Sequence, residues 1–561
     1  MATKTITCTR LARTKRASTF ANHSNTNWGL IRHTSDANPF TSLSYSGTEN
    51  YTYTYDDNHG QGENVDIIFI TAGMIYTDNA GYKTSGVSRI NQFDWRTLTN
   101  SPTTVNVDYS TSATRSNHSE QVVACACHND YGAATAANIY IIPRTQIVSP
   151  FHFWALPKLF HQQKGNSNPT IVVTAFGSSQ STAQIGSMTF RGTKYRTYKG
   201  RSFNRGWYQG ANDSTGFTGN GVVRVPTAGS YLTLLEEMTD AGVIHFTSAG
   251  NSRHKADVPG GVDYNNKIYK WTNNFNYLCA RATYGENDDS IHVGNLDSWF
   301  NDGNTQVTEG GDNKEVCPYP GEFSLSSSNR GPRVDCYVAG TAIPMIIPST
   351  STSNFTIEVA DINDAQDNIV LTLPTGHGLV VGDEILITGS SNSQLNTTHE
   401  LTAVTSDTVT FVVSGYGAQT TTDINVAHIN LVNGLSTGTS FASPTLAGLA
   451  AMVASKYPNT TPAQMRKYVR EVAVSSATMG DTVVQPKVSD GDKGDPDYFE
   501  PNVSQNSNLK ITYIDPSLSY DPSGITDTTI TYPTETLQPL SDSSSSSSTR
   551  KDTKNHTSGT Y

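Results

Sequence analysis

From about Trp28 to Ile343 the apolar positions fall into short runs with helical patterns between them. Val65–Ile70, Asn138–Ile142, Thr170–Thr174 and Val243–Thr247 are β-branched or apolar and read as strands. Ser119–Cys127 and Tyr231–Ala241 read as helices, the second with Leu232, Leu235 and Met238 on one face. Strand alternating with helix predicts an α/β fold, a parallel sheet covered by helices on both faces. Further on, Thr445–Ala454 is apolar, small and free of charge, the composition of a helix buried on all sides. Pro462–Val472 is marked as another helix: Thr461 caps it, Pro462 suits its first position and Gln464 completes a capping box.

Ser349–Val432 breaks this rhythm. It is rich in Thr, Ser and Asn and shows no helical period, and Ile369–Leu373, Glu384–Ile387, Leu401–Val404 and Thr408–Val413 stand apart between turn-rich segments. The pattern predicts a small all-β insertion, with Leu371, Leu373, Ile385, Ile387, Val404 and Phe411 as its core. The chain therefore divides into a basic N-terminal arm (1–27), an α/β domain in two parts (28–348 and 433–485) around the inserted module (349–432), and an acidic extension (486–561). The extension ends in Ser541–Ser548 and a polar tail whose composition predicts disorder.

A length of 561 residues fits more than one domain, and 35% hydrophobic with 16% charged residues describes a polar, loop-rich globular chain. The net charge of −11 argues against a general nucleic-acid binder, whose footprint is basic. No apolar run is long enough to span a bilayer, and the basic stretch Met1–Arg16 lacks the apolar core of a secretory signal, so neither a membrane partner nor conventional export is expected. The six cysteines, Cys8, Cys125, Cys127, Cys279, Cys317 and Cys336, have no zinc spacing, and Cys125 and Cys127 read as helix interior. Asp490–Asp497 is acidic but lacks the spacing and closing glutamate of a calcium loop. No cofactor is expected, and a structural calcium site is not legible.

The stretch that carries chemistry is Gly438-Thr439-Ser440-Phe441-Ala442-Ser443-Pro444, immediately before the buried helix. A serine there has its hydroxyl on rigid backbone and feels the positive end of the helix dipole, which favours negative charge developing nearby. A plain N-cap explains one serine but not the block. The block resembles the nucleophile motif of the subtilisin-like serine peptidases, the subtilases. Asn117-His118-Ser119-Glu120-Gln121-Val122-Val123-Ala124 resembles that family's histidine motif, with Ser119, Glu120 and Gln121 replacing its Gly, Thr and second His. Ser248-Ala249-Gly250-Asn251-Ser252 resembles its oxyanion segment, Val173-Thr174-Ala175-Phe176-Gly177 its substrate-pairing strand, and Ile291–Asn295 and Ser328–Thr341 its later core segments. The resemblance implies a subtilisin-like α/β fold with Ser440 as nucleophile, His118 as general base and Asn251 as oxyanion donor. A peptide substrate would pair beside Ala175, Phe176 and Gly177. Within the insertion, Gly376–Ile387 resembles small β modules of tailed-phage virion proteins.

One member of the family's site is missing. The triad aspartate belongs at the end of the first core strand, where this chain has Thr71 in Ile70-Thr71-Ala72-Gly73. Asp66 is turned to the opposite face of that strand, and Asp78 lies in the following loop. In subtilisin itself, not in this chain, loss of the aspartate alone lowers kcat about 3 × 10⁴-fold, on the order of 6 kcal/mol, and leaves catalysis over water. Two readings follow. One is a serine endopeptidase with impaired or specialised activity acting on a polypeptide. The other is a structural pseudoprotease, a component of a phage virion, whose groove holds a neighbouring chain; a virion or host-cytoplasmic location goes with it. The second draws on Thr71, the altered histidine motif, the phage-like module, the missing signal and the shortness of 1–27 against a folded inhibitory propeptide.

Overall fold

The computed structural model describes residues 2–9, 27–37, 48–56, 58–77, 79–99, 107–109, 115–147, 149–177, 179–181, 185–190, 192–196, 222–224, 226, 229–251, 255–270, 274–278, 281–297, 307–309, 312–314, 323–324, 328–341, 343–357, 360–361, 368–381, 383–390, 394–413, 420–421, 424–478 and 510–532. Asp78, Ser252, Cys279, Cys317, the run 490–497 and the Ser-rich tail lie outside these residues.

Among the described residues the four apolar runs form four adjacent strands at one end of a nine-stranded sheet, with Asn138–Pro143 outermost. Its strands include β1 (Asp66–Thr71), β2 (Asn138–Pro143), β3 (Thr170–Thr174), β4 (Ile244–Ser248), β5 (Ile291–Asp297) and β6 (Cys336–Ala339), in the order β2-β1-β3-β4-β5-β6 and parallel throughout. Such strands are buried on both faces, which is why Ile67, Ile68, Phe69, Ile141, Val172 and Val173 follow one another without polar alternation. One face packs on α1 (Trp28–His33), α2 (Asn117–Cys127) and α5 (Thr439–Lys456); the other packs on α3 (His152–Gln163) and α4 (Ser230–Asp240). In α4 Leu235 and Met238 are buried and Leu232 is half-buried at the edge of that face. Cys125 and Cys127 are buried free thiols inside α2, as their apolar setting predicts.

Helix α5 is buried along nearly its whole length, from Thr439 to Ser455. It crosses α2 closely at Gly448, where a Cβ would come within 2.7 Å of the Ala126 carbonyl oxygen, so only glycine permits the approach. After α5, the Thr461–Gln464 capping box opens α6 (Pro462–Lys467), and the last turn, Tyr468–Val472, widens to a π-helix.

Two boundaries differ from the sequence expectation. The insertion begins and ends further out, in a long antiparallel ribbon of β7 (Ile343–Ile357) and β8 (Ile424–Ser436) that pairs from Ile343↔Ser436 outward. The ribbon carries a separate core of Ile369, Leu371, Leu373, Ile385, Ile387, Leu401, Val409 and Phe411, with Val404 partly buried against it. Second, the extension beyond 485 returns to the domain. Lys510–Thr512 lies parallel to β6 as a further strand of the main sheet and pairs with Val474–Thr478 on its other side. His33 Nδ1 meets the Thr512 carbonyl at 2.6 Å, and Gln464 donates to the carbonyls of Ser523 and Ile525. Three strand residues in a polar stretch have no period of their own, so only the open edge of β6 and Val474–Thr478 define them.

A module with its own core on a two-stranded ribbon should be dispensable for folding, because loop length is thermodynamically cheap. Replacing 349–432 with a short turn is expected to leave far-ultraviolet dichroism and thermal unfolding of the α/β domain close to those of the parent. Loss of soluble, folded protein would show that the module is integral to the core.

Candidate active site

Sheet order decides the site. Thr71 closes β1, Ala175–Gly177 follow β3 and Asn251 follows β4, and these three strands are direct neighbours in the sheet. Three motifs separated by 180 positions of sequence therefore meet at one carboxyl edge, the edge at which open parallel sheets bind ligands. Helices α2 and α5 pack against each other with His118 and Ser440 in their first turns. Their N-terminal dipoles favour negative charge at the same edge.

Ser440 is 8% exposed, and its Oγ donates to the Ala175 carbonyl at 3.2 Å. The nucleophile candidate and the candidate substrate-pairing segment are thus in direct contact. Asn251 lies across from them: its Oδ1 accepts from the Thr439 N–H at 2.9 Å and from Thr439 Oγ1 at 2.8 Å. Thr439 Oγ1 in turn accepts from the Gly250 N–H at 3.1 Å. These bonds tie the turn before Ser440 to the end of β4 and orient the Asn251 amide. Any Cβ on Gly438 would press on Asn251 Nδ2 at 3.1 Å, so glycine leaves that amide its place. As a first-turn residue of α5, Ser440 has a backbone N–H without an intrahelical acceptor, a second donor for the same small volume.

His118 is half-buried, and burial lowers its pKa below the usual histidine value. Its ring stands 5.8 Å from the ring of Phe441, tilted by 47°. Among the described residues neither Ser440 nor any carboxylate is hydrogen-bonded to it. Thr71, 4% exposed, donates its hydroxyl to the Gly73 carbonyl at 2.8 Å and makes no hydrogen bond to the imidazole. Asp66 is at the opposite end of β1, ion-paired with Lys164 at 2.7 Å.

The residues that depart from the family's histidine motif have structural partners. Ser119 Oγ accepts from the Gly73 N–H at 3.1 Å. Glu120 is fully buried and accepts from the Tyr76 N–H, the Asn79 amide and the Tyr82 hydroxyl at 2.9, 3.1 and 2.9 Å. Burial raises its pKa, and these donors oppose the rise. Together the two side chains fasten the helix that carries His118 to the loop that follows Thr71. Arg115, at the head of that helix, stacks on the Tyr76 ring and lies 3.9 Å from Glu400 of the inserted module, which brings the module against the same helix. Phe176, in the candidate substrate-pairing segment, is covered by the Arg144 guanidinium at 4.2 Å.

A model of the subtilase family matches residues 46–503 of the 561. The chain belongs to the subtilase family. Among solved structures this subtilase is similar to a cold-adapted subtilisin-like serine proteinase, at 14% identity and a TM-score of 0.39, covering 88% of this chain and 99% of that one. It is similar also to sphericase (12%, TM-score 0.36) and to the psychrophilic protease S41 (13%, TM-score 0.38), each covering 81% of this chain and 91% of the other. No curated protein matches it in sequence. Phe441, which stands inside the nucleophile block without a role assigned from sequence, is a residue that this subtilase's own geometry adds to the site. Among the described residues no cluster of His, Cys, Asp or Glu could hold a metal ion, and no helix is long and apolar enough to cross a membrane.

Proposed function

We propose that this subtilase is a serine endopeptidase working through Ser440 and His118 without a carboxylate behind the histidine. The observation that carries the reading is the contact of Ser440 Oγ with Ala175, in a turn locked to Asn251 and one helix away from His118. An extended peptide pairs beside Ala175, Phe176 and Gly177, and its seating turns the Ser440 hydroxyl from the Ala175 carbonyl toward His118. Ser440 Oγ then attacks the scissile carbonyl carbon while His118 takes its proton. The oxyanion is met by the Asn251 amide and the Ser440 N–H. His118 gives the proton to the departing amine, and water releases the acyl group by the same steps in reverse.

A second reading is supported by the absence, among the described residues, of a carboxylate hydrogen-bonded to the imidazole and by the phage-like pattern of Gly376–Ile387. In it the groove holds a neighbouring polypeptide, such as another virion protein, and turnover is absent. One experiment separates the two. A fluorophosphonate probe is expected to label the purified protein once per chain, with mass spectrometry placing the adduct on Ser440. A protein that binds peptide but takes no label is a structural pseudoprotease.

A further inference from the structure

We infer that Phe441 is a positioning residue for His118, its ring doing by packing what the missing carboxylate would do by hydrogen bonding. The inference rests on the peptidase reading for its kinetic consequences, though not for the contact itself. Phe441 follows the nucleophile in sequence and stands in the first turn of α5, so its place is fixed by the helix that fixes Ser440. It is 4% exposed and belongs to the main core, which leaves its ring little freedom to swing. The imidazole at 5.8 Å and 47° meets it as a tilted aromatic pair, a geometry in the favourable range for two rings.

Among the described residues, Thr71 and the charged groups that flank His118 in sequence are engaged elsewhere. Thr71 donates to Gly73, Glu120 is held by Tyr76, Asn79 and Tyr82, and Arg115 is stacked on Tyr76 near Glu400. None of these charges shifts the His118 titration, which burial alone moves downward. An imidazole bound to an aspartate has its tautomer and plane set by one strong bond. Here the plane is set by the wall it leans on. A packed wall fixes orientation but offers no charge to stabilise the imidazolium, consistent with a base that works slowly.

The test is a cycle of two sites. Phe441→Leu keeps an apolar side chain and removes the ring. It is expected to lower kcat about tenfold with KM within about twofold, and to move the acidic limb of kcat/KM upward as water reaches the imidazole. Phe441→Tyr, which keeps the ring, should recover most of the loss. In the Thr71→Asp background the carboxylate takes over orientation, so Phe441→Leu should then cost less than about threefold. Equal losses in the two backgrounds, or a change confined to KM, would overturn the inference. Should Phe441→Leu melt early, Phe441→Met supplies the ring-free variant with a longer side chain.

A readout independent of turnover keeps this distinct from the peptidase reading. The His118 ring signal is followed by nuclear magnetic resonance titration in Ser440→Ala protein. Its midpoint should lie below the ordinary histidine value in the parent and rise when Phe441 becomes Leu. A midpoint that does not move refutes the positioning role even if the protein is an active peptidase. A midpoint that moves in a protein that hydrolyses nothing supports the contact and leaves the peptidase reading to fail alone.

Discussion

Thr71→Asp is expected to raise kcat for peptide hydrolysis by two to four orders of magnitude, the upper bound being the roughly 3 × 10⁴-fold that subtilisin itself loses without its aspartate. Thr71 ends β1, is nearly buried, and is joined through Gly73 and Ser119 to the helix of His118. On the proposed function, a carboxylate at this place is expected to face the imidazole and accept from its Nδ1–H. Burying that charge alone is costly, and the imidazolium formed in the transition state is what offsets the cost. The sign of the accompanying pH effect follows from the same interaction. His118 is now held below its ordinary value by burial, and an adjacent carboxylate favours its charged form. The acidic limb of the pH–rate profile should therefore move up in Thr71→Asp, opposite to the direction in which burial moves it. The measurement is kcat and kcat/KM across pH, beside probe labelling of both proteins. No gain with strong labelling in the parent would identify another carboxylate, such as Asp78, as already standing behind His118. No gain and no labelling in either protein would defeat the peptidase reading.

Replacing Asn251 should have the second largest effect. Its Oδ1 is committed to two donors on Thr439, so its Nδ2 is the part aimed at a developing oxyanion. Asn251→Ala is expected to lower kcat about 10²–10³-fold with little change in KM, the magnitude known for an oxyanion donor of subtilisin itself. It also strips two bonds from the turn that presents Ser440, worth about 1 kcal/mol each. Asn251→Asp separates the roles. The carboxylate still accepts from Thr439, so thermal stability should stay near that of the parent, while loss of the donor and the added negative charge depress kcat at least as far as Asn251→Ala. If Asn251→Asp retained parental kcat, Asn251 would be a structural tie and no part of the oxyanion site.

Both predictions rest on residues that the sequence brought forward, and the reason lies in how local each signal is. Parallel strands buried on two faces must be continuous apolar runs. Thr170–Thr174 accordingly matches its run residue for residue, and β1, β2 and β4 begin and end within about one position of theirs. Helix α5 announces itself by small apolar composition, and α6 by Thr461, Pro462 and Gln464, because capping chemistry involves residues three apart. Much of the module's core was legible for the same reason: Leu371 and Leu373, and Ile385 and Ile387, are pairs two apart on their segments, while Ile369 and Val409 join that core only in the structure and Val404 is only partly buried against it. The reading of Thr71 as standing in the aspartate's place is local too, since Thr71 ends a strand whose neighbours are plain.

What no local pattern holds is which element lies beside which. That β1 sits between β2 and β3, and β3 beside β4, is decided by packing of the whole sheet, and it alone brings Thr71, Ala175 and Asn251 to one edge. The contact of Ser440 with Ala175 spans 265 positions and that of Thr439 with Asn251 spans 188. Phe441 reads in sequence as one more apolar residue at the start of a buried helix, and only the meeting of α2 with α5 turns it into a wall for His118. Glu120 reads as a departure from a motif until the loop after β1 folds onto it with three donors. Lys510–Thr512 is short, with Ile511 its one apolar residue, and it becomes a strand because β6 offers an edge that its backbone satisfies. Periodicity and capping are properties of neighbours along the chain, so the sequence by itself determined the elements and the chemical types at the site. Hydrogen bonds, ring contacts and burial between distant segments exist only after the sheet has closed, so tertiary structure alone decided which groups touch.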